Sequence, residues 1–129
     1  MKLDHTIIPC SNNETSARFY TDILSLEYCG EYSHFIVVKV DCALKLLFDT
    51  RTSFESHHYA FQTSQKEYDS ILARIKKRGY PFGNGPANRT NAKEYEHEEE
   101  KGFYFDDKDG HILEVITQAG VCDEDQGNE

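Results

Sequence analysis

Two histidines, His5 and His58, occupy equivalent positions in an internal repeat of the sequence. Each opens an apolar run, His-Thr-Ile-Ile or His-Tyr-Ala-Phe, and a Ser-x-x-Glu sequence follows each run at the same offset. Ser-x-x-Glu is typical of a capping box at the start of a helix. The chain is therefore predicted to use one strand-then-helix unit twice. The repeat would place the two histidines opposite each other across a pseudo-twofold axis. This arrangement suggests a metal site.

Glu114 is the carboxylate that could complete such a site. It lies in the middle of the aliphatic run 112–116. An unpaired carboxylate in the core costs roughly several kcal/mol, whereas on a water-facing side of a sheet it costs nothing. Strand alternation alone leaves both interpretations open. Two neutral imidazoles and a carboxylate hold Fe, Mn, Zn or Ni and leave positions open for substrate, which favours the functional interpretation.

The elements that would position these residues follow the same order in both halves. Strands are predicted at 2–9, 34–40, 43–48, 57–63, 102–106 and 111–117, short strands at 27–31 and 80–82, and helices at about 13–26 and 65–78. Ser11 and Ser64 are the predicted helix caps. The predicted apolar helix stripes are Ala17, Tyr20, Ile23 and Leu24 in the first helix and Tyr68, Ile71, Leu72 and Ile75 in the second.

Each half is thus β-α-β-β-β, with module one at about 1–54 and module two at about 55–120. The fold class predicted is α+β, in one domain over residues 1–120. The second module is longer, and its extra residues form an insert at 84–101. This insert is either a solvated loop or an edge of the binding cleft. Residues 121–129 are predicted to be an acidic, disordered tail.

Composition limits the classes of function. The chain has 129 residues and a net charge of −9, of which the tail 122–129 supplies −4 and the stretch 93–101 supplies −3. The rest is nearly neutral and has no basic patch, so nucleic acid is excluded as a partner. No run is long and apolar enough for a membrane helix or a secretory signal, and a cytoplasmic protein is expected. The four cysteines, at 10, 29, 42 and 122, form no Cys-x-x-Cys pair and are read as reduced thiols.

Four segments carry a family resemblance. They are Leu-Asp-His-Thr at 3–6, Ser-Ala-Arg-Phe-Tyr at 16–20 with Leu24, His-Tyr-Ala-Phe at 58–61, and Gly-Phe-Tyr-Phe-Asp-Asp-Lys-Asp-Gly-His-Ile-Leu-Glu-Val at 102–115. Together they resemble the vicinal oxygen chelate superfamily, which includes glyoxalase I, bleomycin-binding proteins, fosfomycin-resistance enzymes and extradiol dioxygenases. The resemblance covers residues 2–118, and its last segment is the most specific.

The resemblance implies two βαβββ modules that form a cupped mixed sheet around one divalent metal ion. A histidine from the first strand of each module and a glutamate from the last strand hold the ion, and these map onto His5, His58 and Glu114. His57 is the alternative to His58. Tyr104 corresponds to an active-site tyrosine of extradiol dioxygenases and is the candidate catalytic residue.

The number of metal ligands separates branches of the superfamily, since members such as glyoxalase I use a fourth ligand, a carboxylate from the first module. The internal alignment places Leu46 opposite Glu114, so the carboxylate that glyoxalase I takes from its first module is lacking. The sequence therefore predicts a dioxygenase-like, three-ligand metalloenzyme acting on a small oxygen-bearing substrate. The alternatives are a metal-free drug-sequestering protein, a glyoxalase I-type lyase, and a partner-binding module with a relic site. A homodimer is expected, with the site either within one chain or across two.

Overall fold

The computed structural model of the protein describes residues 1–118. They form two compact units, Met1–Ser56 with Asp107–Asp109, and His57–Asp106 with residues 110–118. The predicted acidic tail and Cys122 lie outside the described residues. Within residues 1–118, no helix has the length and apolar character needed to cross a membrane.

The first unit is a mixed four-stranded sheet with one helix. Its elements are β1 (His5–Cys10), α1 (Asn13–Leu24), β2 (Glu27–Tyr32), β3 (Phe35–Lys39) and β4 (Lys45–Thr50). The strand order is β1-β4-β3-β2, with β1 parallel to β4 and the other pairs antiparallel. Alternate residues of β3 and β4 point toward α1, where Tyr20 packs edge-on against Phe48 at 4.9 Å between ring centroids.

The second unit repeats this architecture. Its elements are β5 (His58–Gln62), α2 (Gln65–Lys77), β6 (Tyr95–His97), β7 (Glu100–Asp106) and β8 (Ile112–Gln118). The order is β5-β8-β7-β6, and β5 is parallel to β8. Phe103 of β7 packs against Tyr68 of α2 at 5.2 Å between ring centroids. The predicted α+β class with two βαβββ modules is confirmed.

The helices bury the predicted stripes. All eight stripe residues are buried, because apolar residues at helical spacing share one face. Ser64 caps α2 as predicted by accepting a hydrogen bond from the backbone N–H of Glu67. The predicted Ser11 cap is wrong: Asn12 caps α1 by accepting from the Thr15 N–H at 2.9 Å. Asparagine caps as well as serine does, so either neighbour could serve.

One further prediction in the second module is wrong. Residues 80–82 form no strand; Gly83 instead makes an isolated backbone bridge to Tyr104. Pro81 lacks the N–H that a strand would need to donate. His111, which follows the turn after β7, is fully buried, and its Nδ1 accepts the backbone N–H of His57 at 2.9 Å. It is buried because it lies between the turn and β8, against the start of β5.

The stability of the first unit depends in part on a buried hydrogen bond between a phenol and a carboxylate. Tyr20 is fully buried and donates a 2.6 Å hydrogen bond to Asp107, which is also buried. Replacing Tyr20 by Phe leaves that carboxylate with one donor fewer. We expect the free energy of unfolding in urea to fall by about 1–3 kcal/mol. Tyr28→Phe, which removes an exposed hydrogen bond to Glu14, should change it far less.

Candidate functional site

Strand register places the candidate residues of the second unit on one face of its sheet. Glu114 of β8 pairs with Ala60 of β5 on one side and with Tyr104 of β7 on the other. His58 lies two residues before Ala60, so its side chain points the same way. This face is opposite to the one that carries Phe103 and packs on α2. The sheet thus brings an imidazole, a carboxylate and a phenol together.

The central contact joins His58 to Glu114. Nε2 of His58 lies 2.9 Å from Oε1 of Glu114. The Glu114 side chain is only 10% exposed, whereas that of His58 is 45% exposed. The carboxylate therefore lies at the base of the site and the imidazole at its open side.

Tyr95 is a second hydrogen-bond partner of Glu114, and sequence reasoning gave it no role in the site. Its hydroxyl donates to Oε2 of Glu114 at 2.6 Å. Tyr95 lies in β6, within the insert, so the insert forms an edge of the site as well as a surface loop. A signal was present in the sequence: an aromatic residue in an acidic stretch, followed by Gly102 on the next strand. Tyr95 and Gly102 are directly paired.

Tyr104 lies between these groups. Its ring centroid is 5.7 Å from that of His58 and 5.7 Å from that of Tyr95. Burial raises the pKa of Tyr104, and the negative charge of Glu114 and a hydrogen bond to that carboxylate raise it further. Burial also raises the pKa of Tyr95, together with its hydrogen bond to Glu114. Both phenols thus keep their protons at neutral pH and act as hydrogen-bond donors.

His57, the alternative ligand, points to the other face of the sheet. Its Nδ1 lies 2.6 Å from the hydroxyl of Tyr59. Its ring lies 5.2 Å from that of His111. Adjacent residues of a strand point to opposite faces. The structure therefore places His58, and not His57, beside Glu114.

His5 lies in the first unit and lines an open cavity of about 560 Å³. The cavity is lined by Asp4, His5, Ile7, Cys29, Glu31, Tyr32, Phe35, Val37, Lys45 and Leu47. Nδ1 of His5 is 2.8 Å from Oδ2 of Asp4. The hydrogen bonds from His5 and then Lys45 hold the pKa of Asp4 below its usual value. The cavity joins apolar walls to a polar end at Asp4, His5 and Lys45.

Strand register corrects the predicted equivalent of Glu114. His5 pairs with Lys45, whereas His58 pairs with Ile112. Counting on two residues along each strand makes Leu47 the equivalent of Glu114. Leu46 is buried and Leu47 lines the cavity. The first-module position still carries an aliphatic residue, so no carboxylate is available there.

The donor set in the second unit fits a divalent metal ion. Two ligands about 2.1 Å from one ion and at right angles to each other are about 3.0 Å apart, and Nε2 of His58 and Oε1 of Glu114 match that separation at 2.9 Å. Within residues 1–118 of one chain, no three His, Cys, Asp or Glu side chains are grouped as metal ligands. The structure therefore brings two of the three predicted ligands together.

Comparisons with known proteins agree with this architecture. A family model described as Glyoxalase/Bleomycin resistance protein/Dioxygenase superfamily matches residues 2–115. The solved structure of oxidase ChaP-H2 is 34% identical, with 93% of this chain and 96% of that chain covered and a TM-score of 0.86. Oxidase ChaP-H1 is also 34% identical, with coverage of 92% and 96% and a TM-score of 0.86.

A more distant structure shares the fold alone. Lactoylglutathione lyase from Agrobacterium tumefaciens is 16% identical, with 89% of this chain and 92% of that chain covered and a TM-score of 0.68. The family-model match spans most of the chain, and the oxidase structures match it nearly end to end. The chain therefore belongs to the glyoxalase/bleomycin resistance protein/dioxygenase superfamily.

Proposed function

We propose that this protein is a metal-dependent oxidase, with a dioxygenase-like three-ligand site that binds a small substrate through two of its oxygen atoms. The observation that carries the proposal is the close approach of Nε2 of His58 to Oε1 of the buried carboxylate of Glu114. The 34% identity to a protein described as an oxidase supports the reaction class. The proposed domain spans residues 1–120, with modules at about 1–54 and 55–120.

His58 and Glu114 would hold one divalent ion, Fe, Mn, Zn or Ni, together with His5. Such an ion supplies Lewis-acid activation of the substrate oxygens, and Fe(II) also supplies one-electron chemistry with O2. Tyr104 would serve as the catalytic residue: it keeps its phenolic proton and lies beside the imidazole of His58. It can donate that proton as a hydrogen bond to an oxygen of the substrate.

The first-unit cavity supports a substrate with an apolar body. Ile7, Val37 and Leu47 line it, and Tyr32 and Phe35 add aromatic surface. Its polar end, at His5 and Lys45, would face the oxygen atoms. A small, largely apolar molecule with two neighbouring oxygens fits this distribution.

We further propose a homodimer in which His5 of one copy serves with His58 and Glu114 of the other. Membership of the superfamily supports this arrangement, because single-domain members often form dimers and in several of them two chains contribute to each site. A two-fold dimer exchanges the same residues in both directions, so each dimer would have two equivalent sites.

The proposal is tested by metal analysis of protein purified without chelators, followed by oxygen-uptake assays with catechol. We expect about one divalent ion per chain and a fall in melting temperature when a chelator removes it. Oxygen uptake should require both the ion and catechol or another compound with two adjacent oxygens. Protein that contains no metal and takes none up from Fe(II), Mn, Ni or Zn solutions would overturn the proposal.

A metal-free small-molecule binding protein is the second candidate, and one observation favours it. Both oxygens of Glu114 have hydrogen-bond partners within the protein, His58 for one and Tyr95 for the other. The cavity beside His5 could then bind an apolar ligand directly. Melting shifts produced by a ligand and unchanged by chelator would support this candidate over the oxidase. The lyase alternative has less support, since Leu47 occupies the place of a fourth, carboxylate ligand.

A further inference from the structure

A tyrosine of the insert, Tyr95, forms a hydrogen bond with Glu114, the buried carboxylate of the site. Tyr95 in β6 reaches across β7 and donates its hydroxyl to Oε2 of Glu114 at 2.6 Å. The other carboxylate oxygen, Oε1, faces His58 at 2.9 Å. Each oxygen of Glu114 therefore has a separate partner, and the two partners come from different strands.

Gly102 makes room for this reach. A Cβ atom at Gly102 would lie 2.4 Å from both Cζ and the hydroxyl oxygen of Tyr95, which is far closer than real contacts allow. The glycines with left-handed backbone are Gly30, Gly79 and Gly110 among the described residues, so Gly102 is not required for its backbone conformation. It is required because the ring of Tyr95 lies over it. Gly102 and Tyr95 therefore act together, because the glycine leaves the space that the tyrosine ring occupies.

We propose that Tyr95 is a positioning residue that makes Glu114 a one-oxygen ligand. By holding Oε2, the phenol leaves Oε1 to be presented beside Nε2 of His58. A carboxylate fixed in this way would hold a metal ion through Oε1 alone. Loss of such an outer-shell partner typically costs about 10–100-fold in metal affinity or activity. This inference rests on the proposed function, because it needs a metal at Glu114.

Titration with Co²⁺ alone, followed by its visible absorption spectrum, tests the inference without a substrate. We expect Tyr95→Phe to weaken the Kd for Co²⁺ by about 10–100-fold and to alter the spectrum, which reports coordination number. Gly102→Ala should do the same although it removes no polar group. Tyr68→Phe is the matched control: it deletes another phenol–carboxylate bond of the same unit, to Glu94 at 2.7 Å, and should leave the Kd unchanged.

The outcomes separate the two proposals. Wild-type protein that binds Co²⁺ with the same Kd and spectrum as Tyr95→Phe would overturn the positioning role and leave the metal site standing. An equal loss of affinity in Tyr68→Phe would also overturn it, since the effect would then be structural. Wild-type protein that binds no Co²⁺ would overturn the proposed function itself. Thermal unfolding in chelator confirms that each variant is folded before titration.

Discussion

Glu114→Gln is expected to abolish metal binding while leaving the protein folded. Glutamine keeps the shape of the side chain and an oxygen that accepts from Tyr95, but it removes the negative charge that would hold the ion. The loss of affinity should exceed the roughly 10–100-fold that follows loss of an outer-shell partner. Metal content of the purified variant should fall to background, and oxygen uptake should fall with it.

Glu94→Gln is the matched control for that result. Glu94 lies in the same unit and also accepts a hydrogen bond from a tyrosine hydroxyl, at 2.7 Å. Its substitution should leave the metal content of the protein unchanged. His58→Ala should behave as Glu114→Gln does, and His34→Ala, at a largely exposed histidine, should behave as wild type. A Glu114→Gln protein with a full complement of metal would contradict the assignment of this carboxylate.

Mixing two inactive variants is expected to restore activity. If His5 of one copy serves with Glu114 of the other, a dimer of His5→Ala with Glu114→Gln has one intact site and one doubly defective site. Random re-association makes about half of the dimers mixed, so about a quarter of all sites should regain metal and activity. Metal content and oxygen uptake are measured after the variants are unfolded together, refolded and reloaded with Fe(II).

The control for this experiment is each variant refolded alone. Both should remain without activity, since neither contains an intact site. A mixture that stays inactive, although its chains form dimers by light scattering, would show that His5 and Glu114 do not serve the same site across two chains. In that case His5 and Glu114 would belong either to one site within a single chain or to two separate sites.

The elements that followed from the sequence are those with a strict period. The stripe of Tyr20 and Ile23, and that of Tyr68 and Ile71, repeat at helical spacing and are buried as predicted. The ends of elements are harder to predict, because neighbouring residues can serve equally well as helix caps. Ser11 and Asn12 are both good caps, and only the first turn of α1 decides between them.

The internal alignment failed by one position for a similar reason. Matching turn residues put Leu46 opposite Glu114, whereas strand pairing puts Leu47 there. Since successive residues of a strand alternate between faces, a shift by one position moves a residue from the core to the cavity. Tyr95 was missed because the insert has no periodicity, and its contact with Glu114 depends on the pairing of β6 with β7.

The hydrogen bonds that His58 and Tyr95 make to Glu114 have a consequence for how the protein is made and handled. Because both carboxylate oxygens have hydrogen-bond partners in the protein, we expect the second unit to be stable without an ion, since it buries no unpaired charge at Glu114. Under the proposed function, metal would then enter a structure that is already folded. Protein expressed in metal-poor medium should therefore be obtained folded and empty, and the ion of choice can be added afterwards without denaturing the chain.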